Sequence, residues 1–234
     1  MYLIMLEFIA RNFHLSMLNC FTAFVQNPNL SIIATAKQWK KLNLGIKQDA
    51  RAYAIQKPFD AIDFVFDISD TQGAGTLFGN EMLFKNQREF CNDFTDKLIK
   101  YYRDKSIKIR PNILMSIDGM ASPDQDGYGN IQLNVRLDEK RKFVTLVHEI
   151  AHIRLGHVVV KASHPSKLEH IKNINEIMAE SVAYLVCKRF GIEIKSFEYI
   201  KDHIVTNVPK EVSISNILLL ATEIEKVLKV KYFD

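Results

Sequence analysis

The chain has 234 residues, 47% of them hydrophobic and 25% charged, with a formal net charge of +4. This composition excludes a disordered protein, and a chain of this length buries a full core without disulfides. Its three cysteines, Cys20, Cys91 and Cys187, are scattered with no CxxC pair, which argues against a cysteine-based metal site and for reduced thiols in a cytoplasmic setting.

Residues 2–26 carry apolar side chains at mixed three- and four-residue spacing and predict a helix, ended by the turn Asn27-Pro28-Asn29. Glu7, Arg11 and His14 interrupt this start, which has no basic leading segment, so it does not read as a signal peptide. The uncharged stretch around it holds Asn19, Gln26 and Asn29 and does not read as a membrane span. Residues 31–41 begin like a strand and lead to Trp39, and residues 50–56 and 61–68 predict short strands separated by Pro58. Within residues 1–60, seven Lys or Arg stand against three Asp or Glu, so this first quarter holds the whole net charge. That excess suits a nucleic-acid partner and a solvated lysine face equally well.

Thr71-Gln72-Gly73-Ala74-Gly75, with Gly79 close behind, is the candidate linker, which gives an N-terminal domain over 1–72, a linker over 73–84 and a second domain over 85–234. The second domain should open with a helix over 86–102, followed by an extended segment over 106–117. Residues 120–130, with Pro123, Gly127 and Gly129, read as loop. Residues 131–135 alternate apolar and polar, predicting a half-buried strand, and that strand is the candidate sheet edge for an extended peptide. Helices are predicted over 138–155, closed by Gly156, and over 173–190 and 214–230.

The segment VHEIAHIRLGH contains His148-Glu149-Ile150-Ala151-His152, the pattern HExxH. At about 100° per helical residue the two imidazoles lie roughly 40° apart, one turn from each other, and can occupy two corners of a tetrahedral zinc site. Glu149 flanks them, placed to take a proton from a zinc-activated water as it attacks a carbonyl. Phe143, Leu146, Val147, Ile150 and Ile153 fall on the opposite arc and give the helix a buried back. A third ligand is needed. Where HExxH recruits a third histidine, that residue stands six positions after the second; Val158 stands there here, and His157 is off that pattern, which suits a supporting role. The helix around Asn173-Ile174-Asn175-Glu176 offers Glu176 and Glu180, one turn apart, beside the small Ala179 and Ala183; either satisfies the spacing. Tyr184, next around that helix, reads as core before oxyanion donor, and His164, His170 and His203 read as surface residues.

With these motifs in hand, the chain resembles the ArdC-type antirestriction proteins and their relatives with zincin-like domains, a group related to HExxH metallopeptidases of the ImmA/IrrE type. HEIAHIRLGH matches the family's metal-binding helix, and Ala179-Glu180-Ser181-Val182-Ala183-Tyr184 matches its Ala-Glu-x-Val-Ala-Tyr. That match implies Glu180 as the third zinc ligand beside His148 and His152, with Glu149 as the catalytic residue. MLNCFTAFVQNPN, IATAKQWKKLN and FVFDISDTQG resemble the family's other domain, which binds single-stranded DNA, although Asn43-Leu44 and Asp49 replace its usual Gly-Arg and turn glycine. The resemblance implies an α+β protein: a small N-terminal helix-plus-sheet domain, then a zincin-like metallopeptidase domain. It implies a zinc-dependent endopeptidase of antirestriction or mobile-element type acting on a protein or peptide. The alternative is a single-stranded-DNA-binding antirestriction module whose zinc only braces the fold.

Overall fold

The computed structural model describes residues 1–57, 61–73, 89–113, 116–124, 129–158, 165–204 and 208–228. Pro58, most of the expected linker, the start of the helix expected at 86, the expected loop residues 125–128, the last residues of the helix expected to reach 230, His164 and the side chain of His203 lie outside them. Two compact units divide the chain, Met1–Arg88 and Glu89–Val230. Each combines helices with sheet, and the architecture is α+β.

In the first unit, the single helix expected over 2–26 is two, α1 (Tyr2–Arg11) and α2 (Met17–Gln26). The break has a polar cause. The Asn12 side chain accepts from the Ile33 N–H at 2.9 Å and donates to the Ser31 and Phe8 carbonyls at 3.0 and 2.9 Å. Those bonds tie the break to the start of the sheet, and Ser16 then caps α2 by accepting from the Asn19 N–H. Next come β1 (Ile33–Thr35), α3 (Ala36–Lys41), β2 (Gly45–Ile46), β3 (Tyr53–Gln56), β4 (Ile62–Asp67) and β5 (Thr71–Gln72). The strands β1-β4-β3 form an antiparallel sheet with β4 in the centre, and β2 pairs with β5. Thr71 and Gln72 therefore belong to the fold of this unit. A capping box of Thr35 and Gln38 starts α3 and turns Trp39 inward against Ile32, Ala34 and Leu44.

The second unit starts with α4 (Phe94–Asp104) and continues through β6 (Lys108–Asn112), β7 (Gly119–Pro123), β8 (Gly129–Asn134), α5 (Glu139–Arg154), α6 (Pro165–Arg189), α7 (Ser196–His203) and α8 (Ile214–Val227). Its sheet has the order β6-β8-β7, with β6 parallel and β7 antiparallel to β8. Two sequence expectations are corrected here. The strand expected to be an edge is β8, the central strand paired on both sides, and the segment read as loop supplies the edge strand β7. The residues of β7, Gly119-Met120-Ala121-Ser122-Pro123, have low strand propensity. Pairing with β8 and packing on α5 make them a strand.

The helix α5 lies on this sheet, with Asp138 capping its start by accepting from the Arg141 N–H at 2.9 Å. Phe143, Leu146, Val147 and Ile150 form its buried back, and Phe143 joins Phe94 and Phe190 in an aromatic cluster that ties α4 and α6 to it. The long α6 is buried nearly all round between Ile177 and Cys187, flanked by α5, α7 and α8. Its last turn is fixed to α8 by an ion pair of Arg189 and Glu225 at 2.8 Å, both side chains fully buried. Among the described residues, no helix is long and apolar enough to cross a membrane.

Candidate metal centre

One face of α5 and one face of α6 meet at the HExxH residues. One ligand atom each from His148, His152 and Glu176 lies within 4.8 Å of the others, a set able to hold a metal ion. The two Nε2 atoms approach to 2.9 Å, and the Glu176 carboxylate faces both, with Oε2 3.6 Å from His148 Nε2 and Oε1 3.4 Å from His152 Nε2. Two imidazole nitrogens and a carboxylate oxygen form a borderline donor set of the kind that suits zinc and neighbouring transition metals.

The opposite nitrogens of both rings have partners of their own. Glu180 Oε1 lies 3.4 Å from His148 Nδ1, and His157 Nδ1 lies 3.2 Å from His152 Nδ1. The expected third ligand, Glu180, is thus placed behind the His148 ring, while its neighbour one turn earlier shares the convergent side with both Nε2 atoms. His157 reaches its place through the end of α5. Gly156 adopts φ +78°, the Gly156 N–H bonds the Ile153 carbonyl at 3.1 Å, and the His157 N–H bonds the His152 carbonyl at 2.8 Å. This is the doubled closure that a glycine in the left-handed region permits. It folds residue 157 back beside the ring of residue 152.

Burial sets the protonation of these groups. It pushes the His148 imidazole down to about 4, with the His152 charge adding to the effect and that of Glu176 opposing it. Burial likewise pushes His157 down to about 4. Both rings are therefore neutral near pH 7, the form that binds metal. The Glu176 carboxyl lies below its usual range, because its bonding to His152 and the neighbouring imidazoles outweigh burial.

Glu149, 8% exposed, is held differently. Burial raises its carboxyl above the usual range, against the opposing influence of His152 and of the Ala121 backbone N–H that bonds it. That N–H belongs to the edge strand. The Asp118 carbonyl accepts from the Asn134 N–H at 2.9 Å, so even-numbered residues of β7 turn their peptide groups to β8 while Gly119 and Ala121 turn theirs away from it, where the Ala121 N–H meets Glu149. Gly119 makes this approach feasible: a Cβ there would sit 2.5 Å from Thr145 Cγ2 and 3.1 Å from Glu149 Cγ. Asp118, just before the strand, is clamped to α5 by Arg141, whose Nε and Nη2 donate to its carboxylate at 2.6 and 2.9 Å.

A cleft of about 340 Å³ adjoins this arrangement at His148 and Glu149, while His152 and Glu176 are not among its lining residues. The edge strand lines it with Gly119, α5 with His148 and Glu149, α6 with Glu180, the segment leading into α7 with Lys195, and α7 itself with Tyr199. The sequence reading did not single out Gly119, Lys195 or Tyr199. No motif marks them, because they come from elements far from HExxH in the chain. Tyr184 is 4% exposed and belongs to the core, as expected. His170 sits apart, facing Glu211 at 3.7 Å.

In the first unit, the aromatic residues among the basic ones face inward. Trp39 is fully buried and its Nε1 donates to the Phe66 carbonyl at 2.9 Å. Tyr53 is buried and its hydroxyl accepts from Asn27 Nδ2 at 2.8 Å. Neither ring is available as a platform for bases, and Lys37, Lys40, Lys41 and Arg51 surround them as exposed cations.

No protein-family model matches the chain, and no curated protein matches it. Solved structures of the antirestriction protein ArdC from the R388 plasmid are similar to it. The Mn(II)-bound structure is 15% identical with a TM-score of 0.40, over 97% of this chain and 94% of that one. The metal-free structure is 15% identical with a TM-score of 0.35, over 92% of this chain and 81% of that one.

Proposed function

We propose that the second unit is a zinc-dependent peptide hydrolase, in which His148, His152 and Glu176 hold the ion and Glu149 is the general base. The observation that carries this reading is the convergence of three donor groups beside a buried carboxylate that is not one of them. A site that only braced a fold would have no use for Glu149. Zinc bound there would polarise a peptide carbonyl and lower the pKa of a bound water toward neutrality.

The chain's own residues supply the rest. Glu149 takes one proton of the attacking water as the water oxygen bonds the carbonyl carbon and the C=O π pair moves onto the carbonyl oxygen. When the C–N bond breaks, its pair leaves with the nitrogen, which takes the proton back from Glu149. A carboxyl raised by burial suits both halves of that exchange, because it returns the proton more readily than its solvated counterpart. Glu180 and His157, behind the two ligand rings, fix their orientation and tautomer.

The substrate is read as an extended segment of a protein or peptide. Gly119, on the edge strand β7, borders the cleft, and an unfolded strand can pair with such an edge. The resemblance of HEIAHIRLGH and AESVAY to antirestriction proteins supports a role in DNA defence or mobile-element biology.

Glu149→Gln tests the reading directly. The variant should retain about one zinc per chain and an unchanged melting temperature, while cleavage of unfolded casein falls about 10²–10⁴-fold. Equal cleavage by the variant and the wild type would remove the mechanism.

A further inference from the structure

We propose that the second unit carries a phosphate-binding cleft, separate from the metal centre, in which Arg103, Ser106 and Arg110 hold the phosphate group of a small molecule, free or as a monoester. The proposal does not depend on the hydrolytic reading above.

This cleft, of about 560 Å³, lies where the end of α4 meets the first half of β6, and it shares no lining residue with the cleft at His148. Its apolar lining residues, Ile107 and Ile109, are buried, while Arg103, Ser106 and Arg110 are exposed. The turn between helix and strand gathers these donors. Ser106 adopts φ +66°, and the turn closes α4 by two bonds, from the Ser106 N–H to the Arg103 carbonyl at 2.9 Å and from the Ile107 N–H to the Tyr102 carbonyl at 3.0 Å. A glycine would make that closure without strain but would bring no hydroxyl to the cleft. Arg103 reaches across the turn, and its Nη2 donates to the Ile109 carbonyl at 2.7 Å. That bond fixes the guanidinium beside β6 and uses only part of its fork.

Charge separates this cleft from the surface around it. Arg141, Arg154 and Arg189 of the same unit each pair with a carboxylate. Among the described residues, no carboxylate pairs with Arg103 or Arg110. The one acid in the lining, Asp124, has a largely buried carboxylate 2.9 Å from Lys108 Nζ, so an ammonium already meets its charge. Two guanidinium charges therefore stand without counter-charge over an apolar floor. Two planar forks and a hydroxyl offer more donors than the two oxygens of a carboxylate can use, and they suit the three terminal oxygens of a phosphate. The cations surround one cavity and do not form a row. That arrangement fits a single phosphate with a small attached group, whereas a nucleic-acid strand needs a charged track.

Equilibrium dialysis of the full zinc-loaded chain at low salt tests the site, with inorganic phosphate and AMP as probes and adenosine as control. One AMP should bind per chain, and adenosine should bind about tenfold more weakly or worse. Arg110→Gln alters an exposed side chain, so the melting temperature should not change, while affinity for both probes falls about 10–100-fold. Lys140→Gln, at an exposed cation of α5 outside the cleft, should change either affinity less than threefold. Equal affinity for the two probes would identify phosphate itself as the ligand, and tighter binding of AMP a monoester. No binding of either probe at millimolar concentration would overturn the site. Affinities unchanged in Arg110→Gln, the result for phosphate held at the metal centre, would overturn it too. So would an oligothymidine with hydroxyl ends that binds more tightly than AMP and loses that affinity in Arg110→Gln, since the cleft would then serve a strand.

Discussion

Two glutamates one helical turn apart are chemically identical, and what separates Glu176 from Glu180 is which nitrogen each faces. Glu176 faces the Nε2 atoms that converge, while Glu180 faces His148 Nδ1, which points away from them. Removing a ligand and removing a group that orients a ligand have different magnitudes. Glu180→Gln should weaken zinc binding about 10–100-fold, the usual effect of losing an orienting partner. Glu176→Ala should weaken it further and leave less than one zinc per chain after dialysis. Competition with a chromogenic chelator measures both. The reverse order would restore Glu180 to the ligand position that the AESVAY match implies and place Glu176 outside it.

At the scale of elements, the site depends on how closely β7 lies on α5, and Gly119 sets that distance. Gly119→Ala should lower stability by about 1–3 kcal/mol, the range for a methyl forced into a filled space. The clash is with one methyl group, Thr145 Cγ2, so adding Thr145→Ser should recover a measurable part of the loss. Urea denaturation of the two single variants and the double variant gives the coupling. Strict additivity would show that β7 does not rest on Thr145. The close of α5 belongs to the same scale: Gly156 in the left-handed region brings His157 to His152, and here a local signal in the sequence, a glycine after the last helical turn, sufficed to foresee the cap.

For the whole molecule, the neutral imidazoles make stability depend on pH. His148 and His157 sit near 4 in the folded protein against an ordinary value of 6.5, so between those limits the unfolded chain binds more protons than the folded one. Their contribution is therefore complete above about pH 6.5 and is lost as pH falls toward 4. Glu176, held low, works in the same direction, and Glu149, held high, works against it. The melting temperature of chelator-treated protein should fall between pH 7 and pH 5, less steeply in His157→Gln than in the wild type. A slope unchanged by that substitution would mean the ring is not held neutral. Added zinc should raise the midpoint at neutral pH by mass action.

The α+β class, most helices and the shared face of His148 and His152 on α5 were legible in the sequence, because helical spacing is local: 3.6 residues per turn fixes which side chains share a face whatever packs on them. The break between α1 and α2 was not legible, since it depends on Asn12 bonding a strand some twenty residues later in the chain. The inward turn of Trp39 and Tyr53, the central place of β8 and the strand character of β7 likewise depend on distant partners. The choice between Glu176 and Glu180 is of the same kind. Periodicity places both on one face of α6, and only the angle at which α6 crosses α5 decides which carboxylate meets the convergent nitrogens and which meets the back of a ring.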